Sequence, residues 1–279
     1  MFDKLDRWYP EIYQKNSEFQ YESALFLLKH LPIKSNQKIL DIGCGPGKIT
    51  AALAKRVYNG TLTGIDSSGK MIQYAKQQYT AIENLNFFEM NAEALQFDNQ
   101  GLKKNYYDWV ISFWTLSWIK QHEKVIFGIT QCLAKNGNIF LLIPFNNATL
   151  ENTFLELRKK KIWRNYFINY QAPKNNFCSK LYKTLIEKYG FIKTSYISKK
   201  ITKEFSDRES LIKFTRPWLP YLDPIPDFVR DSFLDAFISC YLTKSYHGKN
   251  IMGFDVFTIS ASHESFDLEK NLEDTYLQK

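Results

Sequence analysis

Short apolar runs alternate with amphipathic stretches through the first half of the chain. Five of these runs have the length and composition of β-strands, and they lie at 39–42, 61–65, 85–90, 109–113 and 138–143. Helical periodicity fills the intervals near 46–57, 68–80 and 121–134. Strands that alternate with helices are typical of α/β proteins, so the pattern predicts a parallel, doubly wound sheet.

Past residue 144 the alternation is looser, but strand and helix signals continue. Further strands are predicted near 191–197 and 255–260. Helices are predicted near 179–189, 207–216 and 227–243, the last two separated by a proline-rich link. We expect residues 1–150 to form the main core, 151–263 to complete the same domain with a helical lid, and 264–279 to be a polar tail.

The strongest motif is a glycine-rich loop between the first strand and the first predicted helix of the core. Its glycines at positions 43, 45 and 47 let the backbone approach a ligand closely, and the following helix offers free N–H groups. A nucleoside-triphosphate loop would need Gly where Ile42 stands and Ser or Thr at Ile49. A dinucleotide loop would need Gly where Lys48 stands, so neither nucleotide motif fits.

The pattern that remains, G-x-G-x-G preceded by Asp41, resembles the first motif of class I methyltransferases, which bind S-adenosylmethionine. Asp66 ends the second strand 19 residues after Gly47 and has the position of a carboxylate that accepts both ribose hydroxyls. Asn91 and Ala92 follow the third strand, where the family carries an acid and then a small residue. The resemblance implies these cofactor-binding residues: Asp41, Gly43, Gly45, Gly47, Asp66, Ser67, Asn91, Ala92 and Phe113.

The same resemblance sharpens the expected fold. It implies a Rossmann-like, seven-stranded, mostly parallel sheet in which the last strand, near 255–260, runs antiparallel. The aromatic, proline-punctuated insertion between the last two strands predicts that residues 207–243 cover the pocket of the methyl acceptor, with Phe214, Trp218 and Leu219 as candidate lining residues. Arg216 either adds a charge for an acidic substrate or faces solvent.

The loop after the fourth strand is the usual acceptor site in this family, and here it reads FWTLSWI over 113–119. It lacks the Asn/Asp-Pro-Pro-aromatic motif of base-amino methyltransferases, and the chain has no Pro-Cys pair of the kind cytosine enzymes use. The nearest histidine, His122, is predicted to begin the next helix. A hydroxyl acceptor needs such a base, whereas a carboxylate is already ionised near neutral pH. The loop therefore favours a carboxylic acid acceptor.

A closer resemblance points the same way. The stretches 13–20 and 163–167 are similar to juvenile hormone acid methyltransferases, and trans-aconitate methyltransferases share the core. In that family an N-terminal Gln and a Trp after strand four hold the substrate carboxylate, which implies these roles for Gln20 and Trp118. The family's His before that Trp is replaced here by Ser117.

Three other functions remain open at this stage. One is an O- or N-methyltransferase of another small metabolite, with His122 as the base. A second is a protein that binds the cofactor without catalysis. A nucleic-acid methyltransferase ranks third, since it would need a clustered basic face and salt-dependent binding.

The composition adds a basic surface to this picture. Lys and Arg number 37 against 29 Asp and Glu, a net charge of +8. The densest cationic run, 158–161 with Arg164 just beyond, is interpreted as a solvated helix face rather than a phosphate site.

The four cysteines fit no zinc spacing, so no metal site is expected and a reducing compartment is favoured. Neither a secretory leader nor a run of 18 apolar residues is visible, so we expect a cytoplasmic protein without a membrane span. The sequence leaves the oligomeric state undetermined.

Overall fold

A computed structural model describes residues 6, 8–97, 101–145, 147–171, 178–191, 193–245 and 248–262. The tail expected at 264–279 lies outside these residues. Within them the chain forms one seven-stranded sheet. The strands are β1 Lys38–Ile42, β2 Thr61–Asp66, β3 Leu85–Glu89, β4 Tyr107–Phe113, β5 Leu133–Phe145, β6 Lys193–Glu204 and β7 Ile251–Ser262.

The strand order is β3-β2-β1-β4-β5-β7-β6. β1 to β5 are mutually parallel, and β7 runs antiparallel to both β5 and β6. The predicted seven-stranded, mostly parallel sheet with an antiparallel last strand is therefore confirmed. The chain reverses its direction of travel across the sheet between β1 and β4, and ligands of open α/β sheets bind outside such a switch point.

The described helices lie in the intervals between strands and before the first. They are α1 Pro10–Asn16, α2 Glu18–His30, α3 Lys48–Ala54, α4 Gly69–Gln78, α5 His122–Cys132, α6 Ala148–Leu157, α7 Ser179–Lys188, α8 Arg208–Thr215 and α9 Asp227–Lys244. Side chains of the preceding residue cap α4, α6 and α8: Ser68, Asn147 and Asp207 each accept a backbone N–H of the first turn.

The sheet separates two apolar cores, because successive side chains of a strand point to opposite faces. Val110 of β4 joins the core that α5 and α7 cover, whereas Trp109 and Ile111 join the core beneath α2, α3, α6, α8 and α9. The predicted lid, α8 and α9, belongs to this second core. No described helix is both long enough and apolar enough to traverse a bilayer.

The cationic run at 158–161 differs from its interpretation as a helix face. α6 ends at Leu157, and the run continues in turns whose lysines at 159, 160 and 161 are exposed. The helix ends here because Trp163 and Phe167 turn inward and place their rings 5.2 Å and 5.4 Å from the ring of Phe233 on α9.

Candidate cofactor and acceptor site

The glycine-rich loop leaves β1 at the switch point, and its three glycines have φ values of +75°, +55° and +84° at positions 43, 45 and 47. Residues that carry a side chain rarely adopt these backbone conformations. A Cβ on Gly43 would lie 2.1 Å from the side chain of Thr115, and one on Gly47 would lie 2.7 Å from the ring of Phe87. A Cβ on Gly45 would meet no atom within 4 Å. Two glycines are thus required by the protein's own packing, whereas Gly45 faces open space.

Asp66 at the end of β2 connects two backbone turns. One carboxylate oxygen accepts the N–H of Gly45 at 2.9 Å, and the other accepts the N–H of Ser68 at 2.9 Å. Burial raises the pKa of Asp66, and these backbone hydrogen bonds oppose that rise. Each carboxylate oxygen retains a further acceptor site, so Asp66 can shape the loop and still bind a hydroxyl.

Asp41 lies behind the loop, and its carboxylate accepts the hydroxyl of Thr50 at 2.8 Å. Burial raises its pKa to about 7, with the nearby Asp66 charge adding to the rise. Asp41 therefore supports the loop from below and carries a partial charge near neutral pH.

A small cavity of about 50 Å³ opens above the loop. It is bounded by the loop, by the start of α3, by the end of β4 and by α1 and α2. Its lining residues are Tyr13, Ser17, Gln20, Tyr21, Gly43, Cys44, Gly45, Pro46, Lys48, Ile49, Phe113, Trp114 and Thr115. The structure thus brings Gln20 and Phe113 together with the glycine loop.

Gln20 is 7% exposed, and its Oε1 has no hydrogen-bond partner. A buried polar atom without a partner is costly, and such an atom beside a cavity indicates a ligand position. The oxygen and nitrogen of an amide are interchanged by a simple flip, so this position offers either an acceptor or a donor.

The turn after β4 presents Trp114 rather than Trp118 to the cavity. Trp114 has a left-handed backbone, with φ of 62°, and its Nε1 donates to Ser23 Oγ on α2 at 3.1 Å. Thr115 donates from its hydroxyl to the carbonyl of Gly43 at 3.0 Å and so fixes the loop to this turn. Strained residues of this kind cluster at functional sites.

Trp118 ends the 3-10 turn Leu116–Trp118 and is absent from the described cavity lining. Its ring lies 5.5 Å from that of Trp8, which in turn lies 5.6 Å from the ring of Tyr13 at the cavity wall. Trp118 is therefore connected to the cavity through Trp8 and Tyr13.

The groups that titrate in the lining are poor bases near neutral pH. Burial raises the pKa of the Tyr13 phenol and that of the Cys44 thiol. Lys48 adds a positive charge at the wall, where its ammonium pairs with Glu18 at 2.5 Å and lies 4.5 Å from the centre of the Tyr21 ring. The described lining holds no His, Asp or Glu.

His122 lies elsewhere. Its Nδ1 is 2.8 Å from the hydroxyl of the buried Tyr182 on α7, in the core on the other side of the sheet. It borders an open surface groove with Phe127 and Leu181, and the two residue sets lining this groove and the cavity have no member in common.

Comparison with known proteins adds to this geometry. Residues 39–137 match the model of a methyltransferase domain. The 235L protein of Invertebrate iridescent virus 6, whose name assigns it to the methyltransferases, is 32% identical over 239 residues, which cover 85% of this chain and 86% of the viral one. The chain belongs to the class I S-adenosylmethionine-dependent methyltransferases. Its cofactor is S-adenosylmethionine, as the first motif indicates.

Other relatives of this methyltransferase belong to the two groups of carboxylic acid methyltransferases that its sequence resembles. The juvenile hormone acid O-methyltransferase of Bombyx mori is 26% identical over 82% of this chain and 84% of its own. A trans-aconitate 2-methyltransferase of Paracidovorax citrulli is 28% identical over 56% and 58%. The solved YcgJ protein of Bacillus subtilis has the same fold, with a TM-score of 0.60 at 13% identity, and covers 88% of this chain and 99% of its own.

The methyltransferase presents groups that fit its cofactor. Gly45 leaves open space beside a backbone turn, and Asp66 retains acceptor capacity next to it. Ser67 is exposed just after β2. Asn91 is exposed after β3, where its side chain accepts the N–H of Glu93 at 2.9 Å, and Ala92 is buried beside it. These three residues share the carboxyl edge of the sheet with the loop but lie outside the described cavity lining.

Sequence reasoning gave no role to Trp114, Lys48 or Tyr13, although all three line the cavity. Trp114 follows β4 directly, so its position was a usable signal; the left-handed turn that aims it inward was not visible. The expected lid residues Phe214 and Trp218 are absent from the described cavity lining. Their rings contact Phe254, whose ring lies 5.4 Å from that of Trp114 at the cavity wall.

Two further lid residues were expected at the acceptor pocket, and their roles stay predictions. Leu219 is buried in the same core, and Arg216 pairs with Asp231 at 2.6 Å.

Proposed function

We propose that this methyltransferase forms methyl esters of a small-molecule carboxylic acid. The observation that carries the proposal is the cavity beside the cofactor loop. It holds a buried, unpartnered amide position on Gln20, and its described lining contains no group that acts as a base near neutral pH.

The chemistry of methyl transfer makes this lining informative. The cofactor supplies a sulfonium methyl group, which is attacked in line by the acceptor. An alcohol or an ammonium ion must first lose a proton, which requires a positioned base. A carboxylate arrives ionised, so the protein needs only to desolvate and aim it. A wall of aromatic rings with one amide and one ammonium suits that task.

Gln20 and Trp118 are the proposed ligands of the acceptor carboxylate. With Nε2 turned into the unpartnered position, Gln20 donates to one carboxylate oxygen. Neutral donors orient the carboxylate without holding its charge tightly, which keeps the oxygen nucleophilic. Trp118 lies two rings away from the cavity, across Trp8 and Tyr13, so its part in binding requires these rings to shift when the acceptor enters.

The names of relatives support the same acceptor class. The silkworm relative is named for methylation of juvenile hormone acid, and the bacterial relative for trans-aconitate. Both acceptors are carboxylic acids of small size. We propose a molecule of this class, from a tricarboxylate to a long apolar acid, as the acceptor here.

The test is methyl transfer from labelled cofactor to a panel of citrate-like, fatty and isoprenoid acids. Gln20→Ala is expected to lower kcat for the accepted acid by at least tenfold and to leave cofactor affinity nearly unchanged, because the lost hydrogen bond contacts only the acceptor. Gln131→Ala is the matched control, since Gln131 lies on α5 and outside the described cavity lining.

The pH dependence distinguishes the alternatives. A rate that stays flat from about pH 6 to 8 is expected for an ionised acceptor. A rate that rises steeply through this range and is lost in His122→Ala would indicate a hydroxyl or amine acceptor instead. Cofactor binding without turnover of any acid, alcohol or amine would indicate a binding protein.

A further inference from the structure

Two isoleucines stand out on the surface segment that follows α6. Ile162 is 67% exposed and Ile168 is 72% exposed, although both belong to a residue type that is normally buried. Between and before them lie the exposed cations Lys159, Lys160, Lys161 and Arg164. We call residues 159–168 the basic–aliphatic segment.

The segment has a fixed backbone. The carbonyl of Lys160 accepts the N–H groups of Trp163 and Arg164, both at 2.9 Å. The guanidinium of Arg158 donates to the carbonyl of Phe167 at 3.1 Å and closes the segment from the other end. Ile162 and Ile168 are therefore held outward by a hydrogen-bonded frame.

The aromatic residues of the segment anchor it from below. Trp163 and Phe167 are 5% and 1% exposed, and both contact Phe233 of α9. The side chains thus divide by chemistry, with rings facing the core and aliphatic groups and cations facing outward. Exposing the two isoleucine side chains to water is unfavourable, and this cost is removed when the outer face contacts an apolar phase.

The cations of the segment have no acidic counterpart. Among the described residues, no carboxylate forms an ion pair with Lys159, Lys160, Lys161 or Arg164. The adjacent acid, Glu156, is paired with Lys244 at 2.6 Å. Within the described residues, the segment therefore carries four cations without an ion pair and two exposed aliphatic side chains, and the nearest acid, Glu156, is shared between Lys244 and the charge of Lys160.

We propose that the basic–aliphatic segment binds the surface of a bilayer that contains anionic lipids. Cations attracted to acidic headgroups and apolar side chains inserted at the acyl boundary are the two contributions to interfacial binding. Nucleic acid shares only the first of them, because single strands are held by stacking on exposed aromatic rings, and the three rings of the segment are buried or, at Tyr166, half-buried. Two insertable isoleucines and four cations give reversible binding that falls as salt is added.

The experiment measures sedimentation of the full chain with phosphatidylcholine vesicles that contain or lack phosphatidylserine. The parent protein is expected to bind the anionic vesicles and not the neutral ones. Each cation near such a surface contributes about fivefold, so the triple variant Lys159→Gln, Lys160→Gln, Lys161→Gln should bind up to roughly 100-fold more weakly.

Two variants and two controls separate the contributions. Ile162→Ser with Ile168→Ser keeps every charge and should weaken binding at least about tenfold. Lys55→Gln, Lys76→Gln, Lys135→Gln removes the same charge from exposed positions elsewhere, and Tyr58→Ser with Phe127→Ser removes exposed rings elsewhere. Both controls should bind as the parent does.

Three outcomes would overturn the proposal. One is a parent protein that does not sediment with anionic vesicles. Another is equal loss in the segment variants and their controls, which would indicate a general effect of net charge. The third is tighter binding to RNA or duplex DNA that depends on the three lysines and not on the two isoleucines. Thermal unfolding of each variant checks that the fold is retained.

Discussion

At the scale of single residues, the predicted cofactor site contains two carboxylates that already accept hydrogen bonds from the protein itself. Asp66 accepts the N–H groups of Gly45 and Ser68, and Asp41 accepts the hydroxyl of Thr50. Either side chain would be classified as a loop support if the cofactor motif were unknown. We propose that Asp66 does both, because a carboxylate that fixes the loop is also fixed by it and is then held in place for a ligand.

Asp66→Ala is expected to lower cofactor affinity by roughly 2–3 kcal/mol, the worth of charge-assisted hydrogen bonds to the ribose. It should also lower the free energy of unfolding, because two backbone N–H groups lose their acceptor. Asp66→Asn keeps one carbonyl oxygen and should fall between parent and Ala. Calorimetry of cofactor binding beside denaturant unfolding measures both effects; reduced stability with unchanged affinity would remove Asp66 from the cofactor site.

Asp41 should make stability depend on pH. Its folded pKa of about 7 lies above the ordinary value of 3.8, so the folded protein holds a proton that the unfolded chain has released. The stabilisation is complete below about pH 4 and is lost as the pH rises toward 7, by about 4 kcal/mol in all.

Asp41→Asn should lack this decline while retaining the bond to Thr50, which makes the variant more stable than the parent at pH 8. Unfolding by urea across the range tests this. Asp108→Asn, on the adjacent strand, serves as the control; a parallel decline in Asp41→Asn and parent would contradict the assignment.

At the scale of elements, the glycine loop and the turn after β4 form one unit, because the Thr115 hydroxyl binds the Gly43 carbonyl. The position of this unit was predictable, because the apolar runs predicted the strands and the carboxyl ends of parallel strands meet at one edge of the sheet. The choice between the tryptophans at 114 and 118 was not predictable. It depends on the left-handed backbone of Trp114, and a tryptophan, unlike a glycine, does not indicate that conformation in the sequence.

The bounds of the strands also include a part that the sequence predicted and a part that it did not. β6 continues to Glu204, well beyond the predicted 191–197, through a stretch rich in lysine. That stretch has no apolar run to reveal it, and it is a strand because β7 supplies pairing along its entire length. Tertiary pairing therefore decided what local composition did not.

Two glycine substitutions should separate packing from ligand contact. Gly45→Ala places its methyl group in open space, so it should cost only about 1 kcal/mol of stability, from the left-handed backbone, yet weaken cofactor binding by blocking close approach. Gly43→Ala should destabilise the fold more, since its methyl group would overlap the Thr115 side chain. Thermal unfolding and calorimetry of the pair test this; equal stability losses would contradict it.

At the scale of the whole molecule, α1 and α2 cover the site closely. The cavity of about 50 Å³ is far below the roughly 300 Å³ or more that small-molecule pockets occupy. The described contacts that hold the cover include those of Lys48 with Glu18, Trp114 with Ser23 and Gln14 with Tyr79. The described conformation therefore leaves little room for an acceptor in this cavity, and we expect these helices to move when substrates enter.

Glu18→Gln should speed cofactor association, because it removes one of the contacts that must break first. A partly exposed ion pair contributes at most about 1 kcal/mol, so the gain should not exceed about fivefold. Stopped-flow tryptophan fluorescence measures the rate. Glu123→Gln removes the exposed pair with Lys188 far from the cavity and should leave the rate unchanged; the same rate in both variants would indicate that the cover does not limit entry.

The position of β7 between β5 and β6 has a consequence for synthesis of the chain. β6 pairs only with β7, which lies about fifty residues later along the sequence. While the ribosome is still adding α8 and α9, the five parallel strands can assemble, but β6 has no neighbour in the sheet. The hydrophobic side chains of β6 therefore stay unpaired until residue 262, the end of β7, has left the ribosome. The lysines of β6 at 199, 200 and 203 are charges of the kind that keep an unpaired strand from pairing with another copy.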